Sequence, residues 1–234
     1  GHGALYSNTT GSQNVASGHN AMYFNTTGGF NVATGRRALY YNTTGGYNVA
    51  TGYRSLYSNT TANDNTAVGY EALKDNTTGN VNTAIGKRAL ENNTTGFQNV
   101  AVGSYALAMN TIGNYNNAFG VNAVYKNTTG QYNSGFGHKS LYNNISGGYN
   151  TVSGYEALQA NTSGNHNSAL GYQALYLSTA NHNTAIGYVT AKNTSSGQEN
   201  TAVGSVSLLN NTTGSNNTAL GYGAGDNITT GSSN

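Results

Sequence analysis

The sequence predicts an all-β chain folded as a parallel β-solenoid, or β-roll, and three features of its repeat predict it. A glycine recurs every 17 residues along the chain, with a single interval of 16. This period is too short for helix-pair repeats, which need roughly 33 residues or more. Most units also contain an Asn-Thr-Thr-Gly string or a close variant, which is typical of a turn joining short strands.

The recurring glycines divide the chain into fourteen coils of one predicted repeat domain, residues 1–234. The consensus unit is N-[TV]-A-x-G-x-x-A-L-x-x-N-T-T-G-x-x. The short interval lies between Gly171 and Gly187, where one residue of the N-T-T-G string is missing. Turns absorb length changes better than packed strands do, so this deletion supports a turn there. The coils begin at Gly1, Gly18, Gly35, Gly52, Gly69, Gly86, Gly103, Gly120, Gly137, Gly154, Gly171, Gly187, Gly204 and Gly221.

Within each coil we expect two short strands and two turns. In the unit around Gly69, the first strand is predicted near Asn65–Val68 and the second near Tyr70–Lys74. One helical turn is an alternative for the second strand, because its residues are compatible with a helix. Stacked coils would pair their strands in parallel at about 4.8 Å, so fourteen of them would extend for about 65 Å. The predicted core consists of the Ala and the apolar residue before each glycine and the Ala-Leu pair after it, as in Ala67, Val68, Ala72, Leu73, Ala84, Ile85, Ala89 and Leu90.

The small predicted core indicates self-association. About four small apolar residues per coil bury little area, and solenoids are stabilised chiefly by the contacts between neighbouring repeats. Association of three chains would bury more apolar surface. The repeat runs to both ends without a capping segment, and exposed strand edges favour further assembly. We therefore expect a homotrimer, an end-to-end filament, or a segment of a longer fibre.

Composition excludes several classes of protein. Charged residues are only 7% of the chain, against roughly 25% in typical soluble domains. The net charge is +2, and the basic residues form no stripe that could neutralise nucleic-acid phosphates. The chain has no Cys, which excludes disulfides and thiolate metal sites. No apolar run approaches the roughly 18 residues of a membrane span. We expect neither a nucleic-acid partner nor a membrane span.

Catalysis is not expected either. The seven acidic residues form no paired arrangement suited to general acid–base chemistry. The five His residues occupy mixed repeat positions, without the clustered ligands that a metal site needs. The sequence also contains no nucleophile constellation and no phosphate-binding loop. We therefore predict a protein that is not an enzyme and that has no cofactor and no metal.

The repeat strings resemble those of known fibres. The segments Asn65–Gly69, Asn82–Gly86 and Asn200–Gly204 resemble the head repeats of trimeric autotransporter adhesins, which are trimeric left-handed parallel β-rolls. The full unit, as in Asn65–Val81, looks still more like repeats of bacterial and phage tail-fibre-domain proteins. The resemblance covers the whole chain, although adhesin-head coils usually have a shorter period. It implies an extracellular attachment fibre on a cell surface or a virion.

Two rows of asparagine have different predicted roles. The Asn four residues before each glycine is expected to form an internal amide ladder between coils. The Asn of N-T-T starts an N-x-[ST] sequon, which is a glycan acceptor where the secretory pathway glycosylates and otherwise simply a turn residue. The first set, the strand-Asn row, is Asn14, Asn31, Asn48, Asn65, Asn82, Asn99, Asn116, Asn133, Asn150, Asn167, Asn183, Asn200 and Asn217. The second set, the turn-Asn row, includes Asn8, Asn25, Asn42, Asn59, Asn76 and Asn93.

Tyrosine rows form the candidate contact surface. Tyr combines an apolar face with a hydroxyl, which suits cell-surface glycans or proteins as partners; stacking between coils or contact with a second chain is the alternative. The row that follows the glycine contains Tyr53, Tyr70, Tyr155, Tyr172, Tyr188 and Tyr222. Two further rows are Tyr6, Tyr23, Tyr40, Tyr57, Tyr125, Tyr142 and Tyr176, and Phe30, Tyr47, Tyr115, Tyr132 and Tyr149.

The expected function is an attachment fibre, that is, a phage tail fibre, a surface adhesin or a filament subunit. The alternative is an ice-binding β-solenoid that uses its Thr and Asn rows. The Thr pairs at Thr9–Thr10, Thr26–Thr27 and Thr43–Thr44 repeat in register. However, adjacent residues of a strand face opposite sides, so the two side chains of a pair would not share one surface.

Overall fold

One strand of three residues forms before each recurring glycine from Gly18 to Gly221. The computed structural model describes all 234 residues, and the chain divides into two compact units, Gly1–Tyr115 and Asn116–Asn234. The first unit contains β1 (Val15–Ser17), β2 (Val32–Thr34), β3 (Val49–Thr51), β4 (Thr66–Val68), β5 (Thr83–Ile85) and β6 (Val100–Val102). The second contains β7 (Asn117–Phe119), β8 (Ser134–Phe136), β9 (Thr151–Ser153), β10 (Ser168–Leu170), β11 (Thr184–Ile186), β12 (Thr201–Val203) and β13 (Thr218–Leu220).

Within each unit, consecutive strands pair in parallel and in register. Thr66 lies opposite Thr83, and Ala67 lies opposite Ala84, so equivalent residues of neighbouring repeats stack into straight rows. The one-residue deletion leaves this register intact, because Ser168 of β10 still pairs with Thr184 of β11. The prediction of an all-β parallel solenoid is confirmed. The chain has no helix with the length and apolar character needed to cross a membrane.

The second strand predicted for each coil does not form, and neither does the alternative helical turn. After Gly69 the backbone makes a series of turns with positive φ at Glu71 (56°) and Leu73 (51°). The N–H of Glu71 donates to Tyr53 O of the preceding coil at 2.9 Å, and the N–H of Leu73 donates to Ala89 O of the following coil at 3.0 Å. Each left-handed residue costs about 1–2 kcal/mol, and these coil-to-coil hydrogen bonds offset that cost.

The core differs from the prediction at one position of the repeat. Ala67, Ala72 and Leu73 are fully buried, but the apolar residue before the glycine is exposed, as at Val68 and Ile85. Successive side chains of a strand point to opposite faces, so a buried Ala67 places Val68 outside. The interior positions of each coil are completed by asparagine. The strand-Asn and turn-Asn rows are fully buried over most of their length.

Candidate functional site

The strand-Asn row lies inside the coils and links them. The side-chain Nδ2 of Asn48 donates to Asn31 Oδ1 at 3.1 Å and to Ala62 O at 2.9 Å. Its Oδ1 accepts from the backbone N–H of Asn65 at 3.0 Å and from Asn65 Nδ2 at 3.2 Å. The same pattern recurs within the second unit, for example between Asn150 and Asn133. Buried polar groups require hydrogen-bond partners, and this geometry supplies them from coil to coil.

The turn-Asn row forms a second internal chain of amides, which argues against the glycan-acceptor alternative and in favour of a structural role in the turn. Asn42 is fully buried, and its Nδ2 donates to Asn25 Oδ1 at 2.7 Å and to Gly45 O at 2.9 Å. Both amide hydrogens are therefore occupied, and no space remains for an attached sugar. The folded protein cannot carry glycans at the buried members Asn25, Asn42, Asn59, Asn76 and Asn93. Asn8, at the start of the row, is only partly buried and bonds in the same way to Gly11 O and Asn25.

The predicted tyrosine contact row lies on the surface. Tyr53 and Tyr70 stack with their ring centroids 5.3 Å apart. In the second unit, Tyr172 stacks between Tyr155 and Tyr188 at 5.3 and 5.4 Å. The remaining member of this row, Tyr222, is 85% exposed. These rings offer mostly their edges to solvent, because neighbouring coils cover the faces of the stacked members.

A denser group of rings, here termed the aromatic cluster, forms in the first four coils. Phe24 and Tyr41 are parallel, with an interplanar angle of 2° and centroids 5.4 Å apart. Phe24 also packs edge-on against Tyr23 and Tyr40 at 4.9 and 5.2 Å, and Tyr41 packs edge-on against Tyr57 at 5.1 Å. Edge-to-face and offset-stacked pairs are the favoured arrangements of aromatic rings. The cluster comprises Tyr6, Tyr23, Phe24, Tyr40, Tyr41 and Tyr57.

An open groove of about 500 Å³ runs beside the cluster. The hydroxyls of Thr26 and Thr43 donate to the backbone carbonyl of the equivalent Thr in the next coil, at 3.0 Å in both cases. These bonds hold the threonine side chains in one orientation along the groove. The lining residues are Ser7, Phe24, Thr26, Tyr41, Thr43, Ser58 and Thr60, and none of them is charged.

The rings at the edge of the groove are flanked by arginine. The guanidinium of Arg37 lies 5.7 Å from the Tyr40 ring centroid, and that of Arg54 lies 5.3 Å from the Tyr57 centroid. Burial raises the pKa of the Tyr57 hydroxyl above its ordinary value, and its hydrogen bond with Tyr41 raises it further. Because an ordinary tyrosine pKa is already near 10, this phenol is un-ionised at physiological pH.

Some charged residues of the first unit form ion pairs, most of them between neighbouring coils. The buried carboxylate of Glu71 lies 3.1 Å from Arg88 Nε and 3.9 Å from Arg54 Nη1. Glu91 pairs with Lys74 at 3.4 Å and with Arg88 at 3.7 Å. The chain contains no group of three or more His, Cys, Asp or Glu placed to hold a metal ion. The pairs of Glu71 and of Glu91 with Lys74 join neighbouring coils.

The outward side chains of β1–β6 form a second surface, here termed the outer strand face. Each strand turns its central residue inward and its first and third residues outward, and the central residue is buried in β2–β6 and half-buried in β1. Eleven of the twelve outward residues are Val, Ile or Thr, and none is charged. They are Val15, Ser17, Val32, Thr34, Val49, Thr51, Thr66, Val68, Thr83, Ile85, Val100 and Val102.

Two features of the surface were missed from the sequence. The apolar residue before each glycine was predicted to lie in the core, although it belongs to the outer strand face. Successive side chains of a strand point to opposite faces, so counting from the buried strand-Asn residue identifies the outward positions. Phe24 and Tyr41 were not singled out, although only these two coils carry an aromatic residue six positions after the glycine. No protein-family model matches the chain, and no curated protein matches it either.

Proposed function

We propose that the chain is a non-catalytic subunit of an extracellular attachment fibre, on a cell surface or a virion appendage. The observation that carries this proposal is the outer strand face, which is uncharged and rich in apolar side chains. Large exposed apolar patches on soluble proteins mark interaction surfaces. The resemblance to adhesin heads and tail-fibre repeats supports the same function.

The partner best matched to the outer strand face is another copy of this chain. Equivalent outward residues repeat at the spacing of adjacent parallel strands, about 4.8 Å. A second copy presents rows with the same spacing, so its side chains can interdigitate along the whole contact, as those of packed sheets do. The thin interior of Ala, Leu and Asn gives each coil little apolar burial of its own, so burial between chains adds stability. Self-association as a homotrimer or a filament follows from this matching.

The molar mass of the purified protein tests the proposal. We expect light scattering to give a multiple of the 24.2 kDa chain and electron microscopy to reveal elongated particles. The double variant Val68→Lys with Ile85→Lys places two charges on the outer strand face and should dissociate the assembly. The control Thr78→Lys adds a charge at an exposed turn and should leave the mass unchanged. A monomeric wild-type protein, or an assembly that is indifferent to the double variant, would contradict the proposal.

Ice binding is a second candidate, favoured by the same surface rather than by the predicted Thr and Asn rows. Those Asn rows are internal, and the first Thr of most turns directs its hydroxyl to a carbonyl, as Thr43 does. The outer strand face instead presents two parallel rows of methyl and hydroxyl groups. Their spacings are about 4.8 Å between strands and about 6.6 Å along each strand. Such a regular, rigid and uncharged grid is suited to ordering water.

Thermal hysteresis distinguishes the two candidates, because ice binding needs the outer strand face to be free. If the protein binds ice, a monomeric sample lowers the freezing point below the melting point. The Val68→Lys, Ile85→Lys variant should abolish this gap and Thr78→Lys should preserve it. Absence of hysteresis in the wild-type protein would reject this candidate and leave the fibre proposal unaffected.

A further inference from the structure

Three arginines lie close together in the third and fourth coils. Arg37 and Arg54 occupy the second position after the glycine in adjacent coils, and Arg36 directly precedes Arg37. The first 63 residues contain no Asp or Glu, and neither Arg36 nor Arg37 forms an ion pair. Arg54 lies 3.9 Å from Glu71, a carboxylate that also pairs with another arginine. This group of three, here termed the arginine site, therefore carries more positive charge than the chain neutralises.

Elsewhere in the same row, neighbouring charges alternate in sign. Arg88 lies 3.1 Å from Glu71 in the preceding coil. In the second unit, Lys139 lies 3.9 Å from Glu156 in the following coil. Only the step from the third coil to the fourth places two like charges in adjacent coils. Like charges at the coil spacing of about 4.8 Å repel each other, and an anion between them would replace the missing carboxylate.

Backbone hydrogen bonds and aromatic rings position the three guanidiniums. The N–H of Arg54 donates to Arg36 O at 3.1 Å, which holds these two residues side by side. Their guanidinium carbons lie 5.2 and 6.0 Å from the centroid of the same Tyr53 ring. Burial raises the pKa of Tyr57, and the charges of Arg37 and Arg54 oppose that rise, so both lie near this one hydroxyl. The three positive charges thus share one small area of the surface.

Two of these side chains also have unused hydrogen-bond donors. The Nε atoms of Arg37 and Arg54 are buried and have no hydrogen-bond partner. A buried polar group without a partner costs free energy. Each guanidinium presents five N–H donors in a planar fork that matches the oxygens of an anionic group. An oxyanion bound between the two side chains would supply the missing acceptors.

We propose that the arginine site binds a sulfate or phosphate group. Such a group has four oxygens and carries up to two negative charges, so it can accept hydrogen bonds from more than one guanidinium at once. A carboxylate has only two oxygens and a single charge. Three arginines within one coil spacing of about 4.8 Å match one anionic group, not a row of nucleic-acid phosphates. Anion binding does not require self-association, so the arginine site and the fibre can be tested separately.

Equilibrium dialysis of the full chain against radiolabelled sulfate and phosphate at low ionic strength tests the proposal in any state of assembly. The test variant is Arg37→Asn, which introduces the residue that Asn20 provides at the same position of the preceding coil and so preserves the fold. The matched control is Lys139→Asn, which removes the same charge from the same repeat position, next to Asn122. Its lysine already has Glu156 as a partner. Acetate, glucose 6-sulfate and glucose 6-phosphate serve as unlabelled competitors.

We expect saturable binding of a single anion per chain, weakened roughly tenfold or more by Arg37→Asn and close to wild type in Lys139→Asn. The proposal is overturned if neither ion binds saturably, if the two variants lose affinity equally, or if acetate displaces the label as well as sulfate does. Displacement by a glucose ester assigns the arginine site to a group carried on a larger molecule. Displacement by the free ions alone assigns it to the ion itself, and either result supports the site.

Discussion

Replacing Gly86 with alanine is expected to disrupt the stacking of the coils on either side of it. The φ of Gly86 is +136°, a backbone conformation that is essentially restricted to glycine. A Cβ added there would lie 2.6 Å from Gly103 O in the next coil, so the coils would have to separate. Backbone strain and lost coil-to-coil hydrogen bonds together should lower the free energy of unfolding by about 4 kcal/mol or more, at the upper end for a single substitution.

Urea denaturation followed by circular dichroism measures this effect. The matched control is Gly46→Ala, because Gly46 has no positive φ and the next coil carries Asn63 at the same position. We expect the control to unfold close to the wild-type midpoint. Since repeat proteins can unfold in parts, hydrogen exchange should also reveal faster exchange in the coils next to Gly86. Equal midpoints for the two variants would show that the coils are not packed as closely as the structure indicates.

Replacing Asn48 with alanine is expected to be comparably destabilising, for a different reason. The Asn48 amide donates to Ala62 O at 2.9 Å, and its oxygen accepts from the backbone N–H of Asn65 at 3.0 Å. Alanine would leave the buried N–H of Asn65 without its partner, whereas Ala62 O would keep the hydrogen bond from Asn59 Nδ2 at 3.1 Å. An unsatisfied buried N–H costs about 1–3 kcal/mol, and the other lost hydrogen bonds of Asn48 and the cavity left by its side chain add to the loss. The expected decrease in the free energy of unfolding is therefore about 3–5 kcal/mol.

The control for this prediction is Asn92→Ala. Asn92 is only partly buried, and alanine occupies the same repeat position at Ala160. The same chemical change should therefore alter the free energy of unfolding by less than about 0.5 kcal/mol, as most surface substitutions do. If Asn48→Ala were as mild as Asn92→Ala, the amide row would be dispensable and the interior would depend on Ala and Leu alone.

Much of the fold was accessible from the repeat. The 17-residue period and its glycines predicted a parallel solenoid, and the single deletion correctly indicated a turn, since Ala180 and Asn181 lie outside the strands. The buried Ala-Leu pairs were also predicted. The prediction of a second strand in each coil was wrong because neither the apolar pattern nor the residue propensities indicate the sign of φ. Residues such as Leu73 adopt left-handed conformations only because coils on both sides accept or supply hydrogen bonds.

The candidate sites could be predicted less well than the fold, because the surroundings of their residues depend on packing between coils. A recurring asparagine in a sequence can be a turn residue, a glycan acceptor or part of a ladder, and the sequence left the turn-Asn row open between the first two. Burial and hydrogen bonds to Asn25 and Gly45 place Asn42 inside. Likewise, nothing local reveals that Phe24 and Tyr41, seventeen residues apart, form one surface.

The sequence by itself determined the repeat length, the position of the one strand in each coil, the uncharged surface and the small residues of the interior, because these are properties of one unit. The tertiary structure alone decided which asparagines are internal, which strand residues face outward and which aromatic rings meet. Those features arise from stacking identical positions of successive coils at the strand spacing of about 4.8 Å. Because the coils stack in register, equivalent residues of successive units form a continuous row. The residues that each member of the row contacts lie in the neighbouring coils, so one unit of sequence does not reveal them.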